Sequence, residues 1–345
     1  MQPFIPERVF FEPQALSYPL GRKLIDQFHR MNIPVWETST HNRILGIPGK
    51  TAPEAYKEAK QTLVVAVRRS KSFQTCKPSA HFQLPLATSC PGMCEYCYLA
   101  TTLGPKPYLR VYVNIDEILD LARQIIETRS PETTVFEGAA TSDPIPVEPY
   151  TGSLAKTVEF FGLQEYGRFR LVTKFTAIDT LLGIRHNGHT RFRFTLNCDE
   201  VIRKYEHRTP SAADRIAAAG KVLEAGYPLG ILIAPIFVFP GWEEAYRALF
   251  ENLSKELKAR LNGRLPENLT FEFITHRFTK RAKAQITKVF PHTTLPLEEN
   301  TRRFKFGQFG YGKYLYPEED MAAIKHLFTV LQEEYFPGGK IEYFV

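Results

Sequence analysis

Apolar positions along the chain fall into two alternating patterns. Runs rich in β-branched and aromatic residues occur at 82–86, 134–136, 169–173, 192–196, 230–238 and 269–274, and such runs predict strands. Between them the spacing changes. Ile115, Ile118, Leu119, Leu121, Ile125 and Ile126 form a stripe at helical spacing over 115–127, and 210–225, 242–257 and 318–335 also read as helices. Thr209 suits a helix cap and Pro210 the first helical position. Six strands alternating with helices imply right-handed crossovers and a parallel sheet. The expected class is therefore α/β, as an open barrel or a doubly wound sheet. Either places its functional residues at the carboxyl ends of strands.

The flanks depart from this alternation. Residues 1–80 surround one strong strand candidate, 63–67, with Pro-rich turns, and are expected to form an N-terminal extension or small lobe. Residues 276–345 read as a basic helix, a Gly- and aromatic-rich segment and a closing helix. No repeat of solenoid length and no low-complexity tract is present. No window approaches the ~20 apolar residues of a membrane span, and the start lacks the charged and apolar regions of a signal peptide. A cytoplasmic chain with no membrane partner is expected. At 345 residues, 43% hydrophobic and 23% charged, the composition is that of a globular chain with a large core. The net charge of +7 and a pI of about 9.0 suit a polyanionic partner, although ordinary enzymes carry such a surplus too.

The cysteines sharpen the picture. Five are present, Cys76, Cys90, Cys94, Cys97 and Cys198, three of them within eight residues. An odd, bunched set argues against a disulfide framework and for metal binding in a reducing compartment. A cubane iron–sulfur cluster usually takes four cysteines. The run Cys90-Pro91-Gly92-Met93-Cys94-Glu95-Tyr96-Cys97 supplies three, which leaves one iron for the amino and carboxylate groups of S-adenosylmethionine (SAM), a carrier of radical chemistry. A structural zinc site completed by His81 or Cys76 is the alternative, but zinc sites more often use two separated pairs. Cys76 and Cys198 have no partner at motif spacing and read as structural.

Four segments carry a resemblance. They are Ser89-Cys90-Pro91-Gly92-Met93-Cys94-Glu95-Tyr96-Cys97-Tyr98-Leu99, Phe136-Glu137-Gly138-Ala139-Ala140-Thr141-Ser142-Asp143-Pro144, Thr173-Lys174-Phe175, and the stretch from Arg302 to Tyr314. Together they resemble the spore photoproduct lyase family over nearly the whole chain. The resemblance implies a partial (β/α)6 radical-SAM barrel at 81–275 with the [4Fe-4S] cluster at its mouth, the N-terminal extension at 1–80, and a C-terminal hairpin and helix segment at 276–345 that binds DNA. It implies a DNA repair lyase in which an adenosyl radical takes a hydrogen from C6 of the methylene-bridged thymine dimer. The bridge then breaks, and a hydrogen donor quenches the thymine radical. The implied setting is the spore or germinating cell, with damaged double-stranded DNA as substrate, an electron donor such as a flavodoxin or ferredoxin, and a monomeric enzyme.

One position departs from the family, which carries its hydrogen-donor cysteine where this chain has Ala140. A methyl group has no weak S–H bond to give. Either the chain is an engineered donor knockout, the favoured reading because the other matched positions look intact, or it quenches by another route.

The remaining candidates follow from place and chemistry. Lys174 at a strand end is expected at the SAM carboxylate or ribose, Thr195 and Asn197 at the ribose or methionyl group, Ala234 beside Pro235 at the adenine through a strand bulge, and Glu137 near the methionyl ammonium. Each could instead be an ordinary strand-end or turn residue. Ser142 and Asp143 are candidates for a thymine edge or a phosphate-bound water, although Asp-Pro is also a turn signal. Tyr96 and Tyr98 either shield the cluster from water, with Tyr98 beside the cofactor, or relay hydrogen atoms.

The basic positions Arg277, Lys280, Arg281, Lys283 and Lys288 put several cations on one helical face, which is by default solvated. Arg302, Arg303, Lys305 and Lys313, interleaved with Phe304, Phe306, Phe309, Tyr311 and Tyr314 and with Gly307, Gly310 and Gly312, predict a hairpin. Its cations would hold phosphates while an aromatic wedges into the stack. Two other function classes stay open at this stage: a radical-SAM enzyme acting on RNA, a peptide or a small molecule, and a non-catalytic nucleic-acid-binding protein with a structural metal.

Overall fold

Segments with no polar face make strands that are covered on both sides. Arg8–Phe11 and Thr62–Ala66 are of this kind, the latter buried along its whole length. They pair in parallel, Val9 opposite Leu63. The computed structural model, which describes residues 3–39, 41, 44–306 and 312–345, places them inside the first of two compact units, Met1–Gly92 with Thr102–Arg191. Their sheet has five strands in the order Val35–Glu37, Arg8–Phe11, Thr62–Ala66, Leu109–Tyr112 and Ala87–Thr88, of which only the last runs antiparallel. Helix Pro19–Arg30 covers one face with Leu24 and Phe28, the Phe28 ring lying 5.2 Å from that of Tyr150 and 6.5 Å from that of Phe11. Full burial of a Leu or Phe side chain stabilises by about 1.5–3 kcal/mol, so this layer is a core in its own right.

The same unit holds four more strands, Thr75–Cys76, Ala80–Gln83, Thr134–Glu137 and Gly167–Thr173. The last three are mutually parallel neighbours, and Thr75–Cys76 turns back antiparallel on Ala80–Gln83. In Gly167–Thr173 the alternation expected of a strand is complete: Phe169, Leu171 and Thr173 are buried and Arg168, Arg170 and Val172 half-buried. Phe161, from helix Ser153–Gly162, stacks on Phe169 at 5.3 Å and tilts against Phe136 at 5.4 Å. Helix Ile115–Arg129 buries Ile115, Ile118, Leu119, Ala122 and Ile126, the inner edge of the expected stripe.

The second unit, Met93–Thr101 with Phe192–Val345, repeats the parallel alternation. Thr190–Leu196 pairs with Leu229–Ile236 from Phe192 onward, then come Thr270–Thr275 and Lys340–Phe344. Helix Trp242–Arg260 buries Tyr246, Leu249, Phe250, Leu253 and Leu257, one face at helical spacing. Phe250 meets Phe271, Phe328 and Phe336 within 6.3 Å. The register shifts between Ile233 and Ile236, which is the bulge expected at Ala234 and Pro235. Arg303–Phe306 and Gly312–Leu315 form the expected antiparallel pair; the connection 307–311, with Tyr311, lies outside the described residues.

One helix start differs from expectation. The helix read over 210–225 runs Ala212–Glu224, and Ser211, not Thr209, caps it in a reciprocal box with Asp214. Thr209 is engaged elsewhere, its hydroxyl donating to the Glu206 carbonyl at 2.7 Å, and the Pro210 carbonyl accepts from Arg215 Nε at 3.0 Å. Among the described residues no helix is long and apolar enough to cross a membrane.

Candidate functional site

In the first unit the backbone before Cys90 is fastened to the loop that follows strand Thr134–Glu137. Ser89 has φ 64, the left-handed region that non-glycine residues rarely adopt. Its N–H donates to the Thr141 carbonyl at 2.8 Å and its own carbonyl accepts from the Asp143 N–H at 3.2 Å. Its hydroxyl donates to the Pro107 carbonyl at 2.7 Å. The loop can leave the sheet there because position 138 is glycine, where a Cβ would sit 2.4 Å from the Phe169 ring.

Three sequence-predicted residues converge on that loop. Asp143 is buried and accepts from the Thr173 hydroxyl at 2.8 and 2.9 Å, from the Lys174 N–H at 3.0 Å and from the Ile145 N–H at 3.2 Å. Burial pushes its carboxyl up to about 6 against the downward pull of those donors and of the Lys174 charge. Ser142 is buried too, and among the described residues its hydroxyl has no hydrogen-bond partner. A buried hydroxyl without a protein partner is open to a water, an ion or a bound group. Glu137, also buried, accepts from the Ser79 hydroxyl at 3.2 Å and the Ala139 N–H at 3.2 Å, one residue before Ala140. Cys76 stands at the turn leading to Ser79, paired in register with Ala80, and is half-buried. His81 accepts the Val135 N–H on Nδ1 at 2.9 Å, so one of its two ring nitrogens is committed to the sheet.

In the second unit Met93–Cys94 pairs antiparallel with Glu206–His207, Cys94 opposite Glu206, and the Cys97 N–H donates to the Cys94 carbonyl at 3.1 Å. Tyr96 donates its hydroxyl to Glu206 at 2.5 Å. The other Glu206 oxygen accepts from Arg215 at 2.6 Å. Arg215 is fully buried and also donates to the Thr195 carbonyl at 3.1 Å and the Thr209 hydroxyl at 2.8 Å. Burial first, then the charge of Glu206, pushes the Tyr96 phenol well above its ordinary value, so Tyr96 stays protonated at physiological pH. Tyr98 is by contrast exposed (56%). The cysteine loop thus rests on a buried ion pair that ties it to the end of strand Thr190–Leu196.

Thr195 is buried at that strand end. The Asn197 amide is engaged: it donates to the Pro235 carbonyl at 2.8 Å and accepts from Tyr246 at 2.9 Å. Ala234 is half-buried in the bulge. Arg302 is engaged in the same sense, donating to the His276 carbonyl at 3.1 Å and lying 3.7 Å over the Tyr316 ring. Arg303 pairs with Glu318, and Tyr314 donates to Glu299 at 2.6 Å. Lys305 and Lys313 are exposed to solvent, with Phe304 and Phe306 beside them. On helix Lys280–Val289, Lys280 and Lys283 pair with Glu299 at 3.9 and 3.3 Å.

None of the five cysteines is in a disulfide. Among the described residues no three His, Cys, Asp or Glu side chains converge as a metal-ion site. The donor set nevertheless suits a thiophilic cluster: three thiols on a short loop, with a buried lysine ammonium, Lys60, donating to the Cys90 carbonyl at 3.0 Å. Sequence reasoning missed Lys60, Glu206 and Arg215: Lys60 and Glu206 meet the cysteine loop from distant parts of the chain, and the nine-residue spacing of Glu206 and Arg215 follows no helix or strand period that would announce an ion pair.

Comparison with known proteins follows the same lines. The family model for spore photoproduct lyase matches residues 4–345. The chain is 49% identical to the spore photoproduct lyase of Clostridium acetobutylicum over 338 residues, 98% of each chain. It is 47% identical to that of Bacillus subtilis over 342 residues, 99% of each. Among solved structures, it covers the whole of a spore photoproduct lyase double mutant with bound AdoMet and dinucleoside spore photoproduct, a cysteine exchanged for alanine and a serine for cysteine, at TM-score 0.95 and 49% identity. It likewise covers the whole of spore photoproduct lyase complexed with dinucleoside spore photoproduct, at TM-score 0.95 and 48% identity. The mixed α/β, half-barrel fold expected from the sequence is the fold these structures share with the chain.

Proposed function

Because the chain belongs to the spore photoproduct lyase family and is a radical SAM DNA repair lyase, we propose that it splits the methylene-bridged thymine dimer with Cys90, Cys94 and Cys97 as the cluster ligands and a hydrogen donor other than position 140. When bound, the cluster and SAM supply the 5′-deoxyadenosyl radical that takes hydrogen from C6 of the lesion. The observation that carries the reading is the hydrogen-bonded seam from Ser89, next to the first cysteine, to Thr141 and Asp143. It holds one ligand of the radical source against the loop that carries Ala140, Ser142 and Asp143. In this reading the open hydroxyl of Ser142 and the carboxyl of Asp143 bind the lesion, while Lys174, Thr195, Ala234 and Glu137 lie along SAM. The segment 276–345 binds the damaged duplex, with Lys305 and Lys313 as its phosphate contacts. A flavodoxin or ferredoxin class protein supplies the electron to a monomeric enzyme.

Ala140 cannot quench the thymine radical, because an alanine C–H bond is too strong to give up its hydrogen. Of the cysteines outside the cluster motif, Cys198 is buried, with its thiol pushed up to about 11 by burial. Cys76 remains, paired with Ala80 one residue from Ser79, which bonds Glu137, which bonds Ala139. A second reading is therefore favoured over the donor knockout: Cys76 is the donor. Its S–H bond breaks and a C–H bond forms on the thymine methylene; the thiyl radical left behind takes a hydrogen atom from the Tyr96 and Tyr98 relay, and the phenoxyl radical so formed takes one from the methyl group of 5′-deoxyadenosine, which closes the transfer. The exchange in the double mutant, alanine for one cysteine and a new cysteine for a serine, has the same form as this chain's Ala140 with Cys76. Anaerobic reconstitution with iron, sulfide, SAM and dithionite, followed by reaction with dinucleoside spore photoproduct, tests both. Clean thymidine supports Cys76; 5′-deoxyadenosine with adducted thymine supports the knockout; neither product overturns the lyase assignment to these residues.

A further inference from the structure

Helix Ala52–Lys60 opens with a complete capping box between Thr51 and Glu54 and ends on a lysine that none of the functional assignments above uses. Lys60 is fully buried. Its ammonium donates to Ser89 Oγ at 3.2 Å and to the Cys90 carbonyl at 3.0 Å, and stands 5.3 Å from the centre of the Tyr56 ring. All three are neutral groups. Among the described residues no carboxylate pairs with Lys60. The buried cations Arg215 and Arg193, by contrast, have their carboxylates in Glu206 and Glu272.

A buried charge is retained at large cost unless an opposite charge meets it, and an aromatic face offsets only part of that cost. The nearest functional element to this ammonium is the peptide of the first motif cysteine. Three thiolates and four sulfides around four irons carry net negative charge, and one-electron reduction adds another. We propose that Lys60 is the counter-cation of the cluster, and that its positive charge, delivered beside Cys90, makes the cluster easier to reduce. The inference rests on the assignment of Cys90, Cys94 and Cys97 as ligands. It gives the N-terminal part of the chain a part in the chemistry: net charge and hydrogen bonding around the ligands are what set the potentials of such clusters. Lys60 acts through Cys90 and is a positioning residue, not one that touches substrate.

The test compares Lys60→Met, which keeps the length and loses the charge, and Lys60→Gln, which keeps an N–H donor and loses the charge, with the parent chain. Reconstituted proteins are titrated with dithionite under argon and the reduced cluster is followed by electron paramagnetic resonance. Iron and sulfide are counted in each, and the iron-free chains are unfolded in urea. The expected result for both variants is a reduction equilibrium at least about tenfold less favourable, a midpoint about 59 mV more negative for a one-electron couple. The iron-free Lys60→Met chain is then as stable as the parent or more so, because it no longer buries an unmatched ammonium. Unchanged midpoints with full iron overturn the proposal. So does an iron-free Lys60→Met chain that fails to fold or unfolds well before the parent, because Lys60 is then a fold element. If Lys60→Gln keeps the parent midpoint, the hydrogen bond acts and the charge does not, which also overturns it. A parent chain that takes up no cluster removes the ligand assignment itself, and is recognised by its iron count before any titration.

Discussion

Lys305 and Lys313 stand directly opposite each other across the antiparallel pair Arg303–Phe306 and Gly312–Leu315. Like charges in that relation repel. Burial first, then the charge of Arg277, lowers the Lys313 ammonium from its ordinary value. An anion placed between the two lysines relieves the repulsion, and Phe306, 75% exposed, offers a ring to a base stack. Lesion-containing duplex should bind with a salt dependence whose slope falls by about 0.9 for each phosphate contact removed. Changing both Lys305 and Lys313 to alanine should flatten the logarithmic plot of affinity against salt by about 1.8. A slope equal to the parent's would put the phosphates elsewhere.

The hydrogen donor is read by product analysis. Cys76→Ala should leave 5′-deoxyadenosine formation near the parent rate and reduce clean thymine at least about tenfold, a barrier increase of about 1.4 kcal/mol, with adducted thymine in its place. Adding Ala140→Cys to that variant should restore clean product. Full repair by Cys76→Ala alone would remove Cys76 from the scheme and return attention to Tyr96 and Tyr98.

Asp143 makes the stability of the iron-free chain depend on pH. Its carboxyl titrates at about 6 in the fold, against 3.8 for the ordinary side chain, so the fold favours the protonated form. The stabilisation is complete below about pH 4 and is lost as pH rises through 6, by an amount of order 3 kcal/mol at most. Glu148, pushed up to about 7 by burial, acts in the same direction over a slightly higher window. Urea unfolding between pH 4 and 7 should show stability falling as pH rises, less steeply in Asp143→Asn. Parallel curves for the two proteins would mean that Asp143 is ionised throughout.

The pair Glu206 and Arg215, both buried, is expected to be costly to break singly. Arg215→Met or Glu206→Gln should each destabilise by about 3–5 kcal/mol. The double variant should lose clearly less than the sum, because neither charge is then left alone. Additive losses would show that the two side chains act independently.

What could be read in the sequence was local. The alternation in Gly167–Thr173 and the stripe in Ile115–Arg129 are written in consecutive residues, and the bunched cysteines point to metal chemistry by their spacing. Leu109–Tyr112 and Arg8–Phe11 were not legible. Each has four residues, and each takes its place by pairing in parallel with Thr62–Ala66, 46 or more positions away along the chain, and with a second short strand on its other side. Segment 1–80 therefore read only as an extension or small lobe, and the three strands it contributes to the five-stranded sheet could not be placed. Lys60 was invisible for the same reason: nothing in Ala59-Lys60-Gln61 announces that the side chain turns inward toward Ser89 and Cys90. Arg302 looked like a phosphate ligand by type, but its guanidinium is spent on His276 and Tyr316.

Ser89 carries two requirements that no other amino acid meets together. Its left-handed backbone favours glycine, asparagine or aspartate, while its hydroxyl must accept from Lys60 and donate to Pro107 in a space that leaves the residue 1% exposed. Glycine satisfies the backbone and loses the hydroxyl; asparagine and aspartate satisfy the backbone and overfill the space; threonine keeps the hydroxyl and resists the backbone. If codon 89 were randomised and survivors chosen for repair of irradiated DNA, the selection should return serine alone, and the residue ahead of the first motif cysteine would behave as part of its signature.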